Sequence, residues 1–337
     1  MSGSGAGGRG GGGLLLADTP SLYFRSFYGV PRSVRAPDGT PVNAVRGLVD
    51  VLARQILEVR PGSLVACFDA DWRPAFRVAL VPSYKAHRVA GGVDGAGGAA
   101  SGVVEVVEEV EEELQVQLPV IDAVLDAFGI ARVQAAGFEA DDVIGTLATR
   151  YRGVGGVDVL TGDRDLFQLV DDGVGVRVRY AVERFAVVDE ASVTARYGIP
   201  GRAYADFAVL RGDPSDGLPG VAGIGAKTAA ALLGRFGSLS AVCAAVEAAG
   251  PGGSVDGVSA AVLRRLVGAR EYLAAAVPVV AVVRDVPLGS VAWALPAAPV
   301  DARAVARLGA RFGISSACAR LAAALATVSE AAGGVGG

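Results

Sequence analysis

Three short apolar runs in this chain finish at an aspartate or just before one, and that repetition narrows the fold more than any other feature. They are Leu14-Leu15-Leu16-Ala17-Asp18, Leu64-Val65-Ala66-Cys67-Phe68-Asp69 and Val157-Asp158-Val159-Leu160, the last followed closely by Asp163. Short apolar runs of this kind, rich in Leu and Val, read as strands buried on both faces, as in parallel sheets. Helical periodicity lies between them. Residues 43–60 place Val45, Leu48, Val49, Leu52 and Ile56 on one face, with Asn43 as the expected N-cap and Pro61-Gly62 as the stop. Strands alternating with helices predict an α/β fold whose twisted, mostly parallel sheet is flanked by helices. Sheets of this kind place their sites beyond the carboxyl ends of the strands, where these acids fall.

The densest acidic stretch is Phe138-Glu139-Ala140-Asp141-Asp142-Val143-Ile144-Gly145, at the expected start of another helix. Carboxylates suit a helix N-terminus, but one or two suffice to cap it. The pattern recurs in Thr161-Gly162-Asp163-Arg164-Asp165 and in Gly212-Asp213-Pro214-Ser215-Asp216. With Asp18 and Asp69 the candidates for one pocket are Glu139, Asp141, Asp142, Asp163, Asp165, Asp213 and Asp216 as well. Two like charges about 4 Å apart cost about 1 kcal/mol even in water, so such a pocket implies cations. Oxygen donors point to hard ions, two or more Mg²⁺ or Mn²⁺. A pair of them roughly 3.5–4 Å apart generates a nucleophile and clamps both reacting oxygens of a phosphodiester. The single His87 and three widely spaced cysteines without CxxC exclude a histidine or thiolate metal cluster.

The net charge of −4 argues against a nucleic-acid partner only until the nine acids are set aside, which leaves the remainder at +5. Of 31 basic residues only Lys85 and Lys227 are lysines, and both lie in segments suited to phosphate contact. Lys227 follows Leu218-Pro219-Gly220-Val221-Ala222-Gly223-Ile224-Gly225-Ala226, and Thr228 opens the helical stretch after it. This is not a phosphate loop of the GK[ST] kind but the pattern of a helix–hairpin–helix, whose second helix holds a DNA phosphate on backbone N–H groups without reading bases.

The rest of the chain is less specific. Val174–Tyr180 and Phe185–Val188 read as a hairpin in the same sheet, residues 203–211 as a short helix, and Val279–Val283 as a strand-like run. Residues 89–102 read as a mobile Gly/Ala-rich insertion and Glu105–Glu113 as a solvated acidic helix. Residues 1–13 and 326–337 are expected to be flexible tails. No targeting segment is evident, and the Tyr272–Val283 stretch is too short to span a bilayer and carries Pro278. The expectation is a reduced, cytoplasmic protein with no membrane partner.

Together, Gly137-Phe138-Glu139-Ala140-Asp141-Asp142, Thr161 to Leu166, and Gly212-Asp213-Pro214-Ser215-Asp216-Gly217-Leu218-Pro219-Gly220 through Thr228 resemble the 5′→3′ exonuclease (flap endonuclease) family, including the N-terminal nuclease domain of bacterial DNA polymerase I. The resemblance runs from Leu14 to about Leu321. It implies a PIN-like 5′ nuclease fold over 14–200 with an arch at about 73–116 and a helix–hairpin–helix and helical region over 201–325; at 337 residues the chain is expected to be a stand-alone form and a monomer. It implies that all nine acids form the metal pocket and that Asp163, Tyr84, Lys85 and Arg88 serve catalysis. Arg25, Arg77, Tyr84, Lys85 and Arg88 would contact DNA near the cut, while Gly220, Gly223, Gly225, Lys227 and Thr228 grip the duplex, with K⁺ on the hairpin carbonyls. The implied activity is metal-dependent hydrolysis of DNA at 5′ ends, nicks, gaps or flaps, on substrates shared with DNA polymerase and ligase. The alternatives are a catalytically inactive DNA-structure binder and a PIN-type ribonuclease.

Overall fold

Strand β1 (Leu14–Asp18) is buried along its whole length and sits inside a six-stranded sheet in the computed structural model. The structure describes residues 12–89, 110–250, 252–290 and 293–333. The other strands are β2 (Ser63–Cys67), β3 (Ala131–Val133), β4 (Val157–Thr161), β5 (Val176–Tyr180) and β6 (Ala186–Val188). Their spatial order is β3-β2-β1-β4-β5-β6, parallel throughout except for the β5–β6 pair. The chain moves outward from β1 through β2 to β3 and then crosses back to β4, so the topological switch point lies between β1 and β4. Register makes that point acidic: Asp18 pairs with Cys67 on one side, and Ala17 with Leu160 on the other. Asp69 and Asp163 each follow two residues after their strands end, at the same edge.

Helices cover both faces. In chain order they are α1 (Thr19–Gly29), α2 (Asn43–Val59), α3 (Ala75–Leu80), α4 (Glu112–Gln115), α5 (Leu118–Phe128), α6 (Ala140–Tyr151), α7 (Glu190–Tyr197) and α8 (Tyr204–Arg211). The helical region continues with α9 (Ala226–Phe236), α10 (Leu239–Ala249), α11 (Ala260–Gly268), α12 (Arg270–Val280), α13 (Ala302–Phe312) and α14 (Ser315–Gly333). Successive strand residues point to opposite faces, so β1 feeds two cores. Leu15 and Ala17 pack with α2, α5 and α14; Leu14 and Leu16 pack with α6, α8, α9 and α12. Among the described residues no single helix is long and apolar enough to cross a membrane, and the α9–α10 pair meets that test only jointly, across an 82° bend.

Several local expectations are corrected. Asn43 does not cap α2: it lies inside the first turn, fully buried, and donates to the carbonyls of Phe27 (2.6 Å) and Val30 (3.2 Å). Val279–Val283 is no strand, because α12 carries Pro278 within it and runs on to Val280. Residues from 326 are not a flexible tail as far as Gly333, since α14 continues to that point and buries Leu325 and Val328 against the core. Residues 1–11, most of the 89–102 insertion, and Glu105, Glu108 and Glu109 of the acidic run lie outside the described residues.

Candidate metal centre and nucleic-acid interface

Asp18 ends β1 and caps α1, accepting from the Ser21 amide (3.3 Å) and from the Thr161 hydroxyl at 2.5 Å. Thr161 also accepts the Asp163 amide (2.8 Å), and Ser21 Oγ accepts the Gly162 amide (2.7 Å), so two hydroxyls fix the β4 exit against β1. Neither residue carried a role in the sequence reading; the only signal was the place of Thr161 at the head of its motif. Asp69 accepts the Ala140 amide (2.7 Å) and thereby joins the β2 end to the start of α6. Asp163 in turn accepts the Asp165 amide (2.9 Å).

Burial and mutual repulsion shape the charges. Burial, only partly offset by Thr161, raises Asp18 to about 7, and Asp163 and Asp69 add to the rise. Asp141 is raised well above the usual carboxylate range by burial, then by Asp18, Asp163 and Glu139. Asp165 is raised well above its ordinary value by burial and by Asp163, Asp216 and Asp213. Asp69 and Asp216 rise through burial, with Lys85 pulling both back down. Eight acids from five segments therefore share one field.

The ninth, Asp142, adds to the charge felt by Asp69, but its own carboxylate is taken up by Arg77 and backbone amides. Asp142 is 0% exposed, and every oxygen lone pair is committed: Oδ1 to Arg77 Nη2 (2.7 Å) and the Val283 amide (2.8 Å), Oδ2 to Arg77 Nη1 (2.7 Å) and the Glu139 amide (3.2 Å). Arg77 is equally enclosed at 2% exposure, giving its Nε to the Val279 carbonyl (2.9 Å) and Nη1 to Glu139 (2.5 Å). A guanidinium so placed holds Glu139 and Asp142 and meets no DNA. Tyr84 is likewise buried, its hydroxyl donating to Glu139 Oε2 (2.8 Å), and so orients that carboxylate.

Lys85 and Arg88 do reach the field. Lys85 adopts a left-handed backbone (φ 48°), uncommon outside glycine, and its amide bonds the Asp216 carbonyl (3.0 Å). That turn aims the ammonium at Glu139 Oε1. Burial would depress the ammonium, but Glu139, Tyr84, Asp216 and Asp69 outweigh it and hold it well above its ordinary value. Arg88 bridges the Ser215 carbonyl (2.8 Å) and Asp216 (3.0 Å). Arg73, absent from the candidates, fixes this segment through the Tyr84 (2.6 Å) and Pro82 (2.8 Å) carbonyls.

Among the described residues no three acidic, histidine or cysteine side chains close on each other as a ready-made coordination sphere. Lys85 holds Glu139, Arg88 holds Asp216, and Arg211 holds Asp213 (3.1 Å), while the remaining carboxylates repel. The donor set nevertheless suits a hard divalent cation, since it offers only carboxylate oxygens and Asp141 accepts no hydrogen bond from any described residue. A cavity of about 420 Å³ among Leu239, Val242, Val246, Leu273 and Val277 lies apart from these acids.

The hairpin stands beside it. Gly217 packs on the Ser83 carbonyl, and Ser83 Oγ donates to the Gly217 carbonyl (2.7 Å). Gly220 (φ 69°) approaches so closely that a Cβ would lie 2.5 Å from the Arg211 carbonyl carbon; Gly223 is also left-handed (φ 75°). Val221 and Ile224 anchor the turn in the core, and α9 starts after Gly225 with no side-chain cap. Lys227 is exposed and Thr228 half-buried beside those free amides. Arg25 is exposed on α1, with only a 3.5 Å approach to the Val182 carbonyl.

Comparison with known proteins gives two family matches: the 5′-3′ exonuclease N-terminal resolvase-like domain over residues 13–198, and the 5′-3′ exonuclease C-terminal SAM fold over 199–303. The chain is 54% identical to a 5′-3′ exonuclease of Streptomyces coelicolor over 310 residues, 91% of this chain and 98% of the relative. It is 37% identical to DNA polymerase I of Mycobacterium bovis over 88% of this chain but only 30% of that protein. The bacteriophage T5 flap endonuclease, solved in a complex with DNA and metal ions, shares the fold at TM-score 0.59 with 16% identity, over 94% of this chain and 99% of that one.

Proposed function

The chain belongs to the 5′-3′ exonuclease family and is a nuclease, and from that premise we propose that it cuts DNA at 5′ ends, nicks, gaps and flaps, in replication and repair, using two or more Mg²⁺ or Mn²⁺ ions. The observation that carries the reading is the gathering of Asp18, Asp69, Glu139, Asp141, Asp163, Asp165, Asp213 and Asp216 near the switch point, where burial and mutual repulsion raise the proton affinity of Asp18, Asp69, Asp141, Asp165 and Asp216, a rise that a divalent charge would reverse. Those eight would hold the ions. When bound, such cations neutralise phosphate charge and ease deprotonation of the attacking water.

The chain's own cations do the rest. Lys85 and Arg88 neutralise Glu139 and Asp216, and both become available to a phosphate once those carboxylates are otherwise satisfied. Arg77, Asp142 and Tyr84 keep Glu139 aimed, which holds the site rigid. Arg25 would steer the strand near the cut. Lys227, Thr228 and the α9 amides would take the backbone of the duplex, with K⁺ on the hairpin carbonyls between Gly220 and Gly225.

A 5′-flap duplex incubated with the protein tests this. Cleavage with Mg²⁺ that stops in EDTA, and that falls at least about 100-fold in Asp163→Ala while binding persists, is the expected result. Binding without cleavage in either Mg²⁺ or Mn²⁺ overturns it.

A further inference from the structure

We propose that Arg32 and Arg35, in the loop between α1 and α2, form a binding site for the phosphodiester backbone, and that Glu111 and Glu113 cover this site until DNA displaces them. The inference rests on the nuclease reading above. Arg32 donates to Glu111 (2.8 Å) and approaches Glu113 (3.5 Å), and Arg35 donates to Glu113 (2.5 Å). Two guanidiniums and two carboxylates are thus interleaved at the entrance to α4. All four side chains are exposed, from 36% for Glu113 to 51% for Arg32. Exposed pairs contribute little to stability and weaken with salt, so the fold does not depend on them.

The fold has another fastening at this seam. Gln117 is fully buried; its Nε2 donates to Asn43 Oδ1 (3.0 Å) and its Oε1 accepts the Ala44 amide (2.8 Å). Asn43 in turn holds the Phe27 and Val30 carbonyls. This buried staple joins α1, α2 and α5 whether or not the glutamates stay on the arginines. The arginines therefore sit on a fixed loop under a cover that is cheap to remove.

The surroundings fit nucleic acid. The Arg32 guanidinium lies over the Phe27 ring (4.9 Å), and Tyr28 beside it is 65% exposed. Arg25 stands on the same helix. Guanidiniums interleaved with an exposed aromatic ring are what a strand of stacked bases and phosphates needs. Arginine also takes phosphate bidentately, so one anion can replace another on the same fork.

The experiment measures affinity of the full chain for a 5′-flap duplex in EDTA, from about 50 to 200 mM salt. The Glu111→Gln/Glu113→Gln variant should bind several-fold tighter than wild type. The Arg32→Ala/Arg35→Ala variant should bind more weakly, with its log–log salt slope smaller by about 2. Both should melt within a few degrees of wild type. A glutamine variant that binds no tighter, or an arginine variant with an unchanged slope, overturns the inference while leaving the nuclease reading intact. A wild type that neither binds nor cuts the duplex overturns both.

Discussion

Asp141 and Asp142 are adjacent in sequence yet serve opposite purposes. Asp141 faces Asp18 and Asp163 without a hydrogen-bond donor among the described residues, and Asp142 is saturated by Arg77 and two amides. The sequence could not separate them, because both fall in the first turn of α6 and the deciding guanidinium comes from 65 residues upstream. By the same logic Arg77 looked like a DNA contact among the other cations of residues 73–88, and only burial reveals it as the brace of Glu139. Breaking a buried pair leaves an uncompensated charge, so Arg77→Ala should destabilise by about 3–5 kcal/mol. Urea unfolding measures this; a loss below about 1 kcal/mol, with DNA affinity falling instead, would restore Arg77 to the surface role.

At the level of elements, β1, β2 and β4 were legible because each is a buried apolar run with an acid at its exit. β3 was not: Ala131-Arg132-Val133 has only three residues, with Arg132 exposed at a sheet edge, and no periodicity can show in so short a run. The hairpin was legible through its glycines, two of which the structure holds at positive φ against neighbouring backbone or side chains. Its proposed task belongs to α9 as a unit, where Lys227 stands beside uncapped amides. Lys227→Ala should therefore weaken duplex binding across sequences alike and lower the salt slope by about 1, without altering turnover at saturating DNA. Equal slopes for variant and wild type would remove the phosphate assignment.

At the scale of the whole molecule, nine acids from five segments were expected in one place; the strand exits bring Asp18, Asp69 and Asp163 together, and the start of α6 and the turn after α8 add Glu139, Asp141, Asp213 and Asp216, with Asp165 following Asp163. Their charge has a consequence for stability. Asp18, Asp69, Asp141, Asp165 and Asp216 all bind protons more tightly folded than unfolded. Their contribution is therefore fully present below the ordinary carboxylate value of about 4 and is lost as pH rises through the folded value, about 7 for Asp18. In EDTA the unfolding free energy should fall by on the order of a few kcal/mol between about pH 4 and 7, lowering the melting temperature over that range, and Mg²⁺ should cancel the fall. A melting temperature that rises with pH in EDTA would contradict the charge account.

The most direct measurement is diffraction from a crystal soaked in Mn²⁺, recorded for anomalous scattering. The account predicts Mn²⁺ against Asp18, Asp141 and Asp163 and against Asp165, Asp213 or Asp216, with none at Asp142. Acids left without Mn²⁺, still held only by Lys85, Arg88 and Arg211, would contradict it.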